Sequence, residues 1–349
     1  MKIRHKYMLR AIELGKNAFG SAAPNPMVGC CIVHNDIIIG EGFTSAYGGA
    51  HAEVNAINSV TDKALLPESV LYVTLEPCSH FGNTPPCSDL IIRHQIPKVV
   101  IGLKDPHTKV AGKGVEKLKA AGVSVEVGIL EEACRAHHKR FLTYHEKKRP
   151  FIILKWAQSW DGFIAPTPDK RTASPKPFWI TNTYSRQLVH QWRSREQAIL
   201  VGTQTALADN PKLDVRHWKG KNPTRIVLDR SLKIPKEYNV LDGTVKTIVL
   251  TEVDTQSNSG GLIFEVMDFE KELAHQVCKV LYQHHIASVL IEGGAKTLET
   301  FIESNLWDEA RIFKGQATLT SGIRAPKISG KIQSIASLLG DSLTLLKYD

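Results

Sequence analysis

The chain has 349 residues, which is too long for one ordinary domain, and its 42% hydrophobic, 23% charged and 7% aromatic content is typical of a soluble globular protein. No stretch approaches the roughly 18 apolar residues that a membrane-spanning helix requires, and the charged N-terminus is not a secretory signal, so we expect a cytoplasmic protein without a membrane partner. The net charge of +9 suits nucleic acid or phosphorylated small molecules, but the basic residues are scattered rather than banded, which argues against nucleic acid.

The first 145 residues alternate between helix and strand patterns. In chain order they predict a helix near 3–18, the strands VGCCIV and IIIGEGF, a helix from about 51, the strand VLYVTLE, a helix after residue 87, the strand KVVIGL, the helix GVEKLKAAG, the strand VSVEV and a helix from about 131. Strands that alternate with helices predict a mostly parallel sheet covered on both faces. The charged segment HEKKRP ends this pattern, so we predict one domain over residues 1–147 and a second over 148–349.

Six cysteines are present, and a reducing compartment weighs against disulfide bonds between them. Four are most simply buried core thiols, because they lie in apolar or helical patterns: Cys30, Cys31, Cys134 and Cys278. Cys78 and Cys87 differ, since each follows a proline in PCSHFGNTPPC, a loop that could be half of a metal site, a disulfide loop or a turn with incidental thiols.

The stretch AHAEVNAINSV supplies a third ligand and a spare carboxylate. His51 at the start of a predicted helix, together with Cys78 and Cys87, gives one imidazole and two thiolates, a set suited to Zn²⁺. Three protein ligands leave a fourth position for water, as in catalytic zinc sites, although a structural zinc remains an alternative. Glu53 points away from the ligand but can reach such a water and pass its proton to a leaving amine, which is the logic of zinc deaminases.

Four segments carry a specific resemblance: PNPMVGC (24–30), HAEVNAI (51–57), EPCSHFGNTPPC (76–87) and DPHTKVAGKGVEKLKAAGV (105–123). They resemble the deaminase domain of the bifunctional riboflavin-biosynthesis deaminase–reductases, which implies a cytidine-deaminase-like α/β/α domain. The implied reaction is zinc-dependent hydrolytic deamination of 2,5-diamino-6-ribosylamino-4(3H)-pyrimidinone 5′-phosphate, with Glu53 as proton shuttle. Matching positions imply that the substrate is bound by Asn25, His80, Asp105 and His107. Two positions depart from the family, because Asn83 stands where Arg or Lys is common and Thr44 where a substrate-binding His is common.

The second half repeats the alternation of strands and helices with different polar residues. Lys155 lies in the strand FIILKWA, and Asp209 follows the strand AILVG, a turn and a short predicted helix. The strand of VLIEGGAKTL ends in Glu292 and two glycines before a helix, which makes either a tight turn or a phosphate site. Asp209 could alternatively cap a helix, and Lys155 could belong to a surface ion pair. The proline-bearing segment 166–178 reads as an exposed loop.

Four further segments resemble, in order, the reductase domain of the same family, whose fold is similar to dihydrofolate reductase: WITNTYSRQLVHQWRSREQAILVG, LADNPKLDVR, RIVLDRSLKIP and IEGGAKTL. The resemblance implies NADPH as hydride donor and reduction of the ribosyl side chain of 5-amino-6-(5-phosphoribosylamino)uracil to ribityl. The implied cofactor-binding residues are Lys155, Trp179, Thr205, Asp209, Glu292, Gly293 and Gly294. The implied substrate residues are Arg193, Leu213 and Arg216, with Asp209 in a proton-transfer or orienting role and Lys155 positioning charge. Ser174 lies too far before Trp179 to be aligned with the family's serine.

We therefore predict a bifunctional enzyme with zinc and NADPH as cofactors, a phosphorylated pyrimidine as substrate and, from the family, a homo-oligomer. One alternative is a nucleotide or tRNA deaminase with a C-terminal binding domain. A second is a non-catalytic module stabilised by zinc. A third is that one of the two domains is inactive, and the departures at Asn83 and Thr44 make the deaminase the domain to test.

Overall fold

The computed structural model describes residues 3–81, 85–106, 111–171, 174–255 and 260–348. It divides into two compact units, Met1–Lys148 and Arg149–Asp349, each with its own sheet and core. The predicted functional boundary, after residue 147, lies one residue before this division. Among the described residues, no helix is both long and apolar enough to cross a bilayer.

Unit 1 has five strands and six α-helices among its described residues. The strands are β1 (Gly29–His34), β2 (Ile37–Phe43), β3 (Val70–Val73), β4 (Lys98–Ile101) and β5 (Ser124–Val127). The helices are α1 (Ile3–Gly15), α2 (Ala52–Ser59), α3 (Cys87–Arg93), α4 (Lys113–Ala120), α5 (Glu131–His137) and α6 (Lys139–Lys147). The predicted order of elements is confirmed.

The sheet of unit 1 has the order β2-β1-β3-β4-β5. The prediction of parallel strands is confirmed for β3, β4 and β5 but wrong for β1 and β2, which pair antiparallel. The reason is local: only Asn35 and Asp36 connect β1 to β2, and both have positive φ angles, 47° and 61°. A two-residue turn of this conformation reverses the chain, whereas a parallel connection needs a dozen or more residues.

Both faces of this sheet are covered, as the sequence predicts. Alternate residues of β1 point to opposite sides, so that Cys30 and Ile32 join one core while Cys31 and Val33 join the other. Helices α2, α3 and α4 pack on the first face, and α1, α5 and α6 on the second. The arrangement is an α/β/α layer structure.

Unit 2 is built on a nine-stranded sheet with helices on both faces. Its strands are β6 (Phe151–Gln158), β7 (Phe163–Ala165), β8 (Ala198–Gly202), β9 (Thr224–Leu228), β10 (Thr247–Thr251), β11 (Leu262–Val266), β12 (Ser288–Ile291), β13 (Glu309–Lys314), β14 (Ile323–Arg324), β15 (Lys331–Leu338) and β16 (Asp341–Lys347). Its helices are α7 (Thr183–Arg193), α8 (Thr203–Asp209), α9 (Leu273–Gln283) and α10 (Ala295–Glu303).

The large sheet has the order β11-β10-β9-β8-β12-β6-β13-β16-β15, and β7 pairs with β14 in a separate ribbon. Strands from β11 to β13 are parallel, and β16 and β15 are added antiparallel. Helices α9 and α10 pack on one face, while α7 and α8 pack on the other. The crevice at the carboxyl ends of such parallel strands is the usual place for a ligand.

Candidate zinc centre and ligand cleft

Three loops of unit 1 meet at one edge of its sheet. Strands β3 and β4 are parallel, so the residues that follow them, including Cys78 and Asp105, lie at the same edge. Strand β1 runs antiparallel to β3, and the N–H of Thr74 donates to the carbonyl of Gly29. The loop before β1, which contains Asn25, therefore reaches this edge as well. The topology thus gathers several of the predicted substrate and metal residues.

His51, Cys78 and Cys87 form a group that could hold a metal ion. The Nδ1 atom of His51 is 3.6 Å from the sulfur of Cys78 and 3.3 Å from that of Cys87. In a tetrahedral zinc site, bonds of about 2.3 Å to sulfur and about 2.0 Å to nitrogen place these ligand atoms about 3.5 Å apart. The donor set and its spacing therefore fit a zinc ion.

The contacts of the two sulfurs give their thiols different pKa values. Cys87 is the first residue of α3, and its N–H donates to the sulfur of Cys78 over 3.3 Å. Hydrogen bonds from the Cys87 thiol and His51 lower the pKa of Cys78, while the same thiol–thiol contact and burial raise the pKa of Cys87. The Cys78 sulfur is thus the more readily ionised of the pair and is prepared to bind a cation.

Glu53 lies in the first turn of α2, with His51 as the N-cap residue. Its side chain is buried, and its carboxylate contacts the thiol of Cys87. Burial, reinforced by the charge of Cys78, raises the pKa of Glu53 to about 7. A carboxyl group with such a pKa can both take and release a proton near neutral pH.

The other predicted residues of this site are loop residues. Asn25 lies in a turn and donates its backbone N–H to Ala22, His80 is exposed after β3, and Asp105 follows β4. His107 and Asn83 lie outside the described residues.

Thr44 has a different role from the substrate contact common at its position. Its side chain is 3% exposed, and its hydroxyl donates to the carbonyl of Pro26 and accepts from the N–H of Val28, each over 3.0 Å. The hydroxyl therefore stabilises the loop that carries Asn25.

A cleft of about 1350 Å³ opens at the carboxyl ends of β6, β8, β9 and β12 in unit 2. This is larger than the roughly 300–1,000 Å³ of common small-ligand sites and suits a dinucleotide together with a substrate. All the predicted reductase residues line it: Lys155, Trp179, Arg193, Thr205, Asp209, Leu213, Arg216, Glu292, Gly293 and Gly294.

A buried charge cluster centres on Glu292. Arg193 donates two hydrogen bonds of 2.9 Å to its carboxylate, and Lys155 lies 3.4 Å from the same group. Burial acts to raise the pKa of Glu292, but Arg193 and Lys155 outweigh it and hold this pKa at about 2. Burial lowers the pKa of Lys155. Because the Lys155 side chain is only 15% exposed, the alternative of a surface ion pair is wrong.

The two glycines after Glu292 lead into α10, whose N-terminal end lines the cleft. A Cβ atom on Gly293 would lie 2.8 Å from the side chain of Thr297, and one on Gly294 would lie 3.2 Å from Thr205. The close packing requires glycine at the first position and favours it at the second. The free N–H groups and partial positive charge of the helix start suit a phosphate group.

Asp209 is the last residue of α8, so it is not an N-cap. Arg171, in the loop 166–178, donates to its carboxylate over 2.8 Å and to the carbonyl of Ala208 over 3.0 Å. Burial raises the pKa of Asp209, and Arg171 partly offsets this. Ser174, in the same loop, is exposed. The contact of Arg171 was not predicted, because a single arginine in a loop carries no periodic signal.

The predicted substrate residues Leu213 and Arg216 line the cleft, as does the predicted cofactor residue Trp179. Leu213 is buried with a positive φ of 51°, and Arg216 pairs with Asp214 at 2.5 Å. The N–H of Arg216 donates to His190 on α7 over 3.3 Å. Trp179 is 52% exposed, and the guanidinium of Arg186 lies 4.6 Å from its ring centre.

Comparison with known proteins supports a two-part enzyme. Residues 1–103 match the model of the cytidine and deoxycytidylate deaminase zinc-binding region, and residues 150–329 match that of the RibD C-terminal domain. Riboflavin biosynthesis protein RibD of Aquifex aeolicus is 38% identical over 344 residues, which cover 97% of this chain and 91% of that protein.

Solved structures of two-domain proteins are also similar to this chain over its whole length. A diaminohydroxyphosphoribosylaminopyrimidine deaminase/5-amino-6-(5-phosphoribosylamino)uracil reductase from Thermotoga maritima superposes with a TM-score of 0.89, at 35% identity and with 99% of each chain covered. RibD of Acinetobacter baumannii superposes with a TM-score of 0.90, at 33% identity and with the same coverage.

Proposed function

Because this chain belongs to the family of riboflavin biosynthesis protein RibD, we propose that it catalyses two consecutive steps of riboflavin synthesis. Unit 1 hydrolytically deaminates 2,5-diamino-6-ribosylamino-4(3H)-pyrimidinone 5′-phosphate. Unit 2 then reduces the ribosyl side chain of 5-amino-6-(5-phosphoribosylamino)uracil to ribityl with NADPH. The observation that carries this proposal is the trio of His51, Cys78 and Cys87 beside the buried Glu53, in one chain with the charged cleft of unit 2.

In the deaminase reaction, His51, Cys78 and Cys87 would hold the zinc. When bound, zinc lowers the pKa of a coordinated water toward 7. Glu53, which is buried beside these ligands, would accept a proton on the water side and deliver it to the departing amine. Asn25, His80, Asp105 and His107 bind the pyrimidine, ribose or phosphate.

In the reductase reaction, the start of α10 with Gly293 and Gly294 would hold a phosphate of NADPH, and Thr205 and Trp179 would contribute to the same site. NADPH supplies the hydride when it is bound. Glu292, fixed by Arg193 and Lys155, orients the substrate, and Asp209 moves or orients a proton. Arg216 binds the substrate phosphate, for which a guanidinium is well suited.

The C-terminal match disfavours the alternative in which unit 2 is only a binding domain for a nucleotide or tRNA deaminase. We also propose that the chain acts as a homo-oligomer in the cytoplasm. Edge strand β15 leaves Ile332 and Ile335 58% and 65% exposed, and an exposed apolar edge of this kind favours pairing with another chain. The free thiols of all six cysteines suit a reducing compartment.

Separate assays of the two half-reactions test this function. We expect about one zinc per purified chain, ammonia release from the diaminopyrimidine phosphate, and NADPH oxidation with the deaminated product. In Cys87→Ser, zinc and ammonia release should be lost while NADPH oxidation persists. Cys278→Ser, which changes a buried thiol of unit 2, is the matched control for zinc content. Wild-type protein that holds zinc but releases no ammonia would contradict the deaminase assignment, and failure to oxidise NADPH would contradict the reductase assignment.

A further inference from the structure

Glu76 lies just after β3 and is buried, with 4% of its surface exposed. Its two carboxylate oxygens accept four backbone hydrogen bonds. Oε2 accepts from Asp105 at 3.2 Å and Gly112 at 3.0 Å, and Oε1 accepts from Gly114 at 2.9 Å and Val115 at 3.1 Å. A carboxylate bound by several backbone N–H groups is a strong, charge-assisted contact.

The four donors come from two places, the residue Asp105 after β4 and the N-terminal end of α4. Asp105 follows β4, whereas Gly112 is the N-cap residue of α4 and Gly114 and Val115 lie in its first turn. The first N–H groups of a helix lack partners within it, and an anion at that end is favourable. Glu76 supplies this anion from another element, since α4 has no capping side chain of its own. The carboxylate thereby fixes both the position of Asp105 and the start of α4.

The same stretch carries a metal ligand. Only Pro77 separates Glu76 from Cys78, and a Cβ atom on Gly114 would lie 2.1 Å from the carbonyl oxygen of Pro77. The start of α4 is therefore packed directly against the turn that leads to Cys78. A shift of Glu76 would change the placement of Asp105 relative to the zinc ligands.

We infer that Glu76 is a positioning residue of the deaminase site, which holds Asp105 and the start of α4 in register with the Cys78 turn; this rests on the proposed function. The four N–H groups need an acceptor at both oxygens. Glutamine offers one oxygen and an NH₂ group that faces donors. Glu76→Gln therefore removes the acceptor of one pair of these N–H groups, while His51, Glu53 and the cysteines are unchanged.

The test measures KM and kcat of deamination in the full chain, with zinc content and NADPH oxidation recorded on the same samples. For Glu76→Gln we expect KM for the diaminopyrimidine phosphate to rise about tenfold or more, since a lost hydrogen bond to a charged group corresponds to roughly that factor. Zinc content and NADPH oxidation should stay at the wild-type level, and kcat should change less than KM. Glu41→Gln, the same change at a carboxylate paired with Arg10 on the surface of unit 1, should leave KM unaltered.

Each result decides the inference. An unchanged KM in Glu76→Gln overturns it. If Glu76→Gln loses zinc, Glu76→Asp is measured. Aspartate keeps the charge, but its shorter side chain moves the oxygens away from the four N–H groups. A raised KM with zinc retained in that variant supports the inference, whereas loss of zinc there too, or a wild-type KM, overturns it. Absence of ammonia release from wild-type protein counts instead against the proposed function.

Discussion

The guanidinium of Arg193, at the end of α7, donates two hydrogen bonds of 2.9 Å to the carboxylate of Glu292, the residue just after β12. The two side chains are 11% and 9% exposed, and Lys155 completes the cluster at 3.4 Å. The Glu292 carboxylate is thus held by two cations that also line the cleft. These contacts fix the orientation of the carboxylate toward a ligand.

Replacing Arg193 by methionine should damage both stability and reduction. Without Arg193 the buried Glu292 carboxylate loses two charge-assisted hydrogen bonds and keeps only Lys155 from the cluster, and breaking such a buried ion pair costs about 3–5 kcal/mol. We expect the unfolding free energy of unit 2 to fall by about this amount and kcat/KM for NADPH oxidation to fall at least about tenfold. All six tryptophans lie in unit 2, so tryptophan fluorescence during urea unfolding reports this unit alone. Arg195→Met, at an exposed arginine just after α7, is the control, and equal losses in both variants would refute the argument.

Replacing Glu53 by glutamine should abolish proton transfer without disturbing the metal site. Glutamine has nearly the same shape but cannot carry the proton, and general acid–base catalysis contributes about 10²–10⁴-fold. We expect kcat for ammonia release to fall within this range, with zinc content and NADPH oxidation unchanged. Glu132→Gln, at an exposed carboxylate of α5, should behave as wild type. Full deamination by Glu53→Gln would contradict the proton-transfer role of Glu53.

The candidate zinc ligands could be predicted because their signals are short and chemically specific. His51 with Glu53, and two cysteines that each follow a proline, identify a donor set before any fold is known. The cleft residues of unit 2 could be predicted only through the resemblance of whole segments. Their convergence depends on the parallel order of β8, β12 and β6, which brings together residues more than a hundred positions apart.

What the sequence did not reveal depends on backbone geometry or on exposed elements. The role of Glu76 requires N–H groups some 30 to 40 positions later in the chain, which no local pattern predicts. Strand β15 was not predicted, since its residues are almost all exposed and show no alternation of buried side chains. The antiparallel β1–β2 pair was missed because the Asn35–Asp36 turn lacks the glycine that usually signals such hairpins.

His190 should make unit 2 sensitive to acid. Burial, with the charges of Arg193 and Arg216 and of His217 nearby, lowers the pKa of His190 to about 4, while Glu292 acts in the opposite direction. The unfolded chain, with a histidine pKa near 6.5, binds the extra proton first, so stability from this group is present above pH 6.5 and is lost as pH falls toward 4. At pH 5.5 we expect a loss of about 1 kcal/mol relative to pH 8, allowing for solvent screening.

The measurement compares the unfolding free energy of wild type and His190→Asn at both pH values by tryptophan fluorescence. Asparagine keeps an acceptor near the Nδ1 position for the N–H of Arg216 but does not titrate. The difference between pH 8 and pH 5.5 should therefore be smaller in the variant by about 1 kcal/mol. His285→Asn, at a histidine after α9 and outside the cleft, serves as control. An identical pH dependence in wild type and His190→Asn would rule out this origin.

Thr44 offers a way to separate a structural hydroxyl from a substrate contact. Its hydroxyl bridges the carbonyl of Pro26 and the N–H of Val28 and is buried, so Thr44→Val removes two hydrogen bonds and leaves the Val28 N–H with the Pro26 carbonyl alone. Such a loss costs about 1–3 kcal/mol, and we expect the thermal transition of unit 1, followed by circular dichroism, to fall accordingly. KM for deamination should rise with it, because the same loop carries Asn25, whereas Thr44→Ser should restore both. A hydroxyl that bound the substrate directly would predict a raised KM at unchanged stability, and that result would contradict the structural role of Thr44.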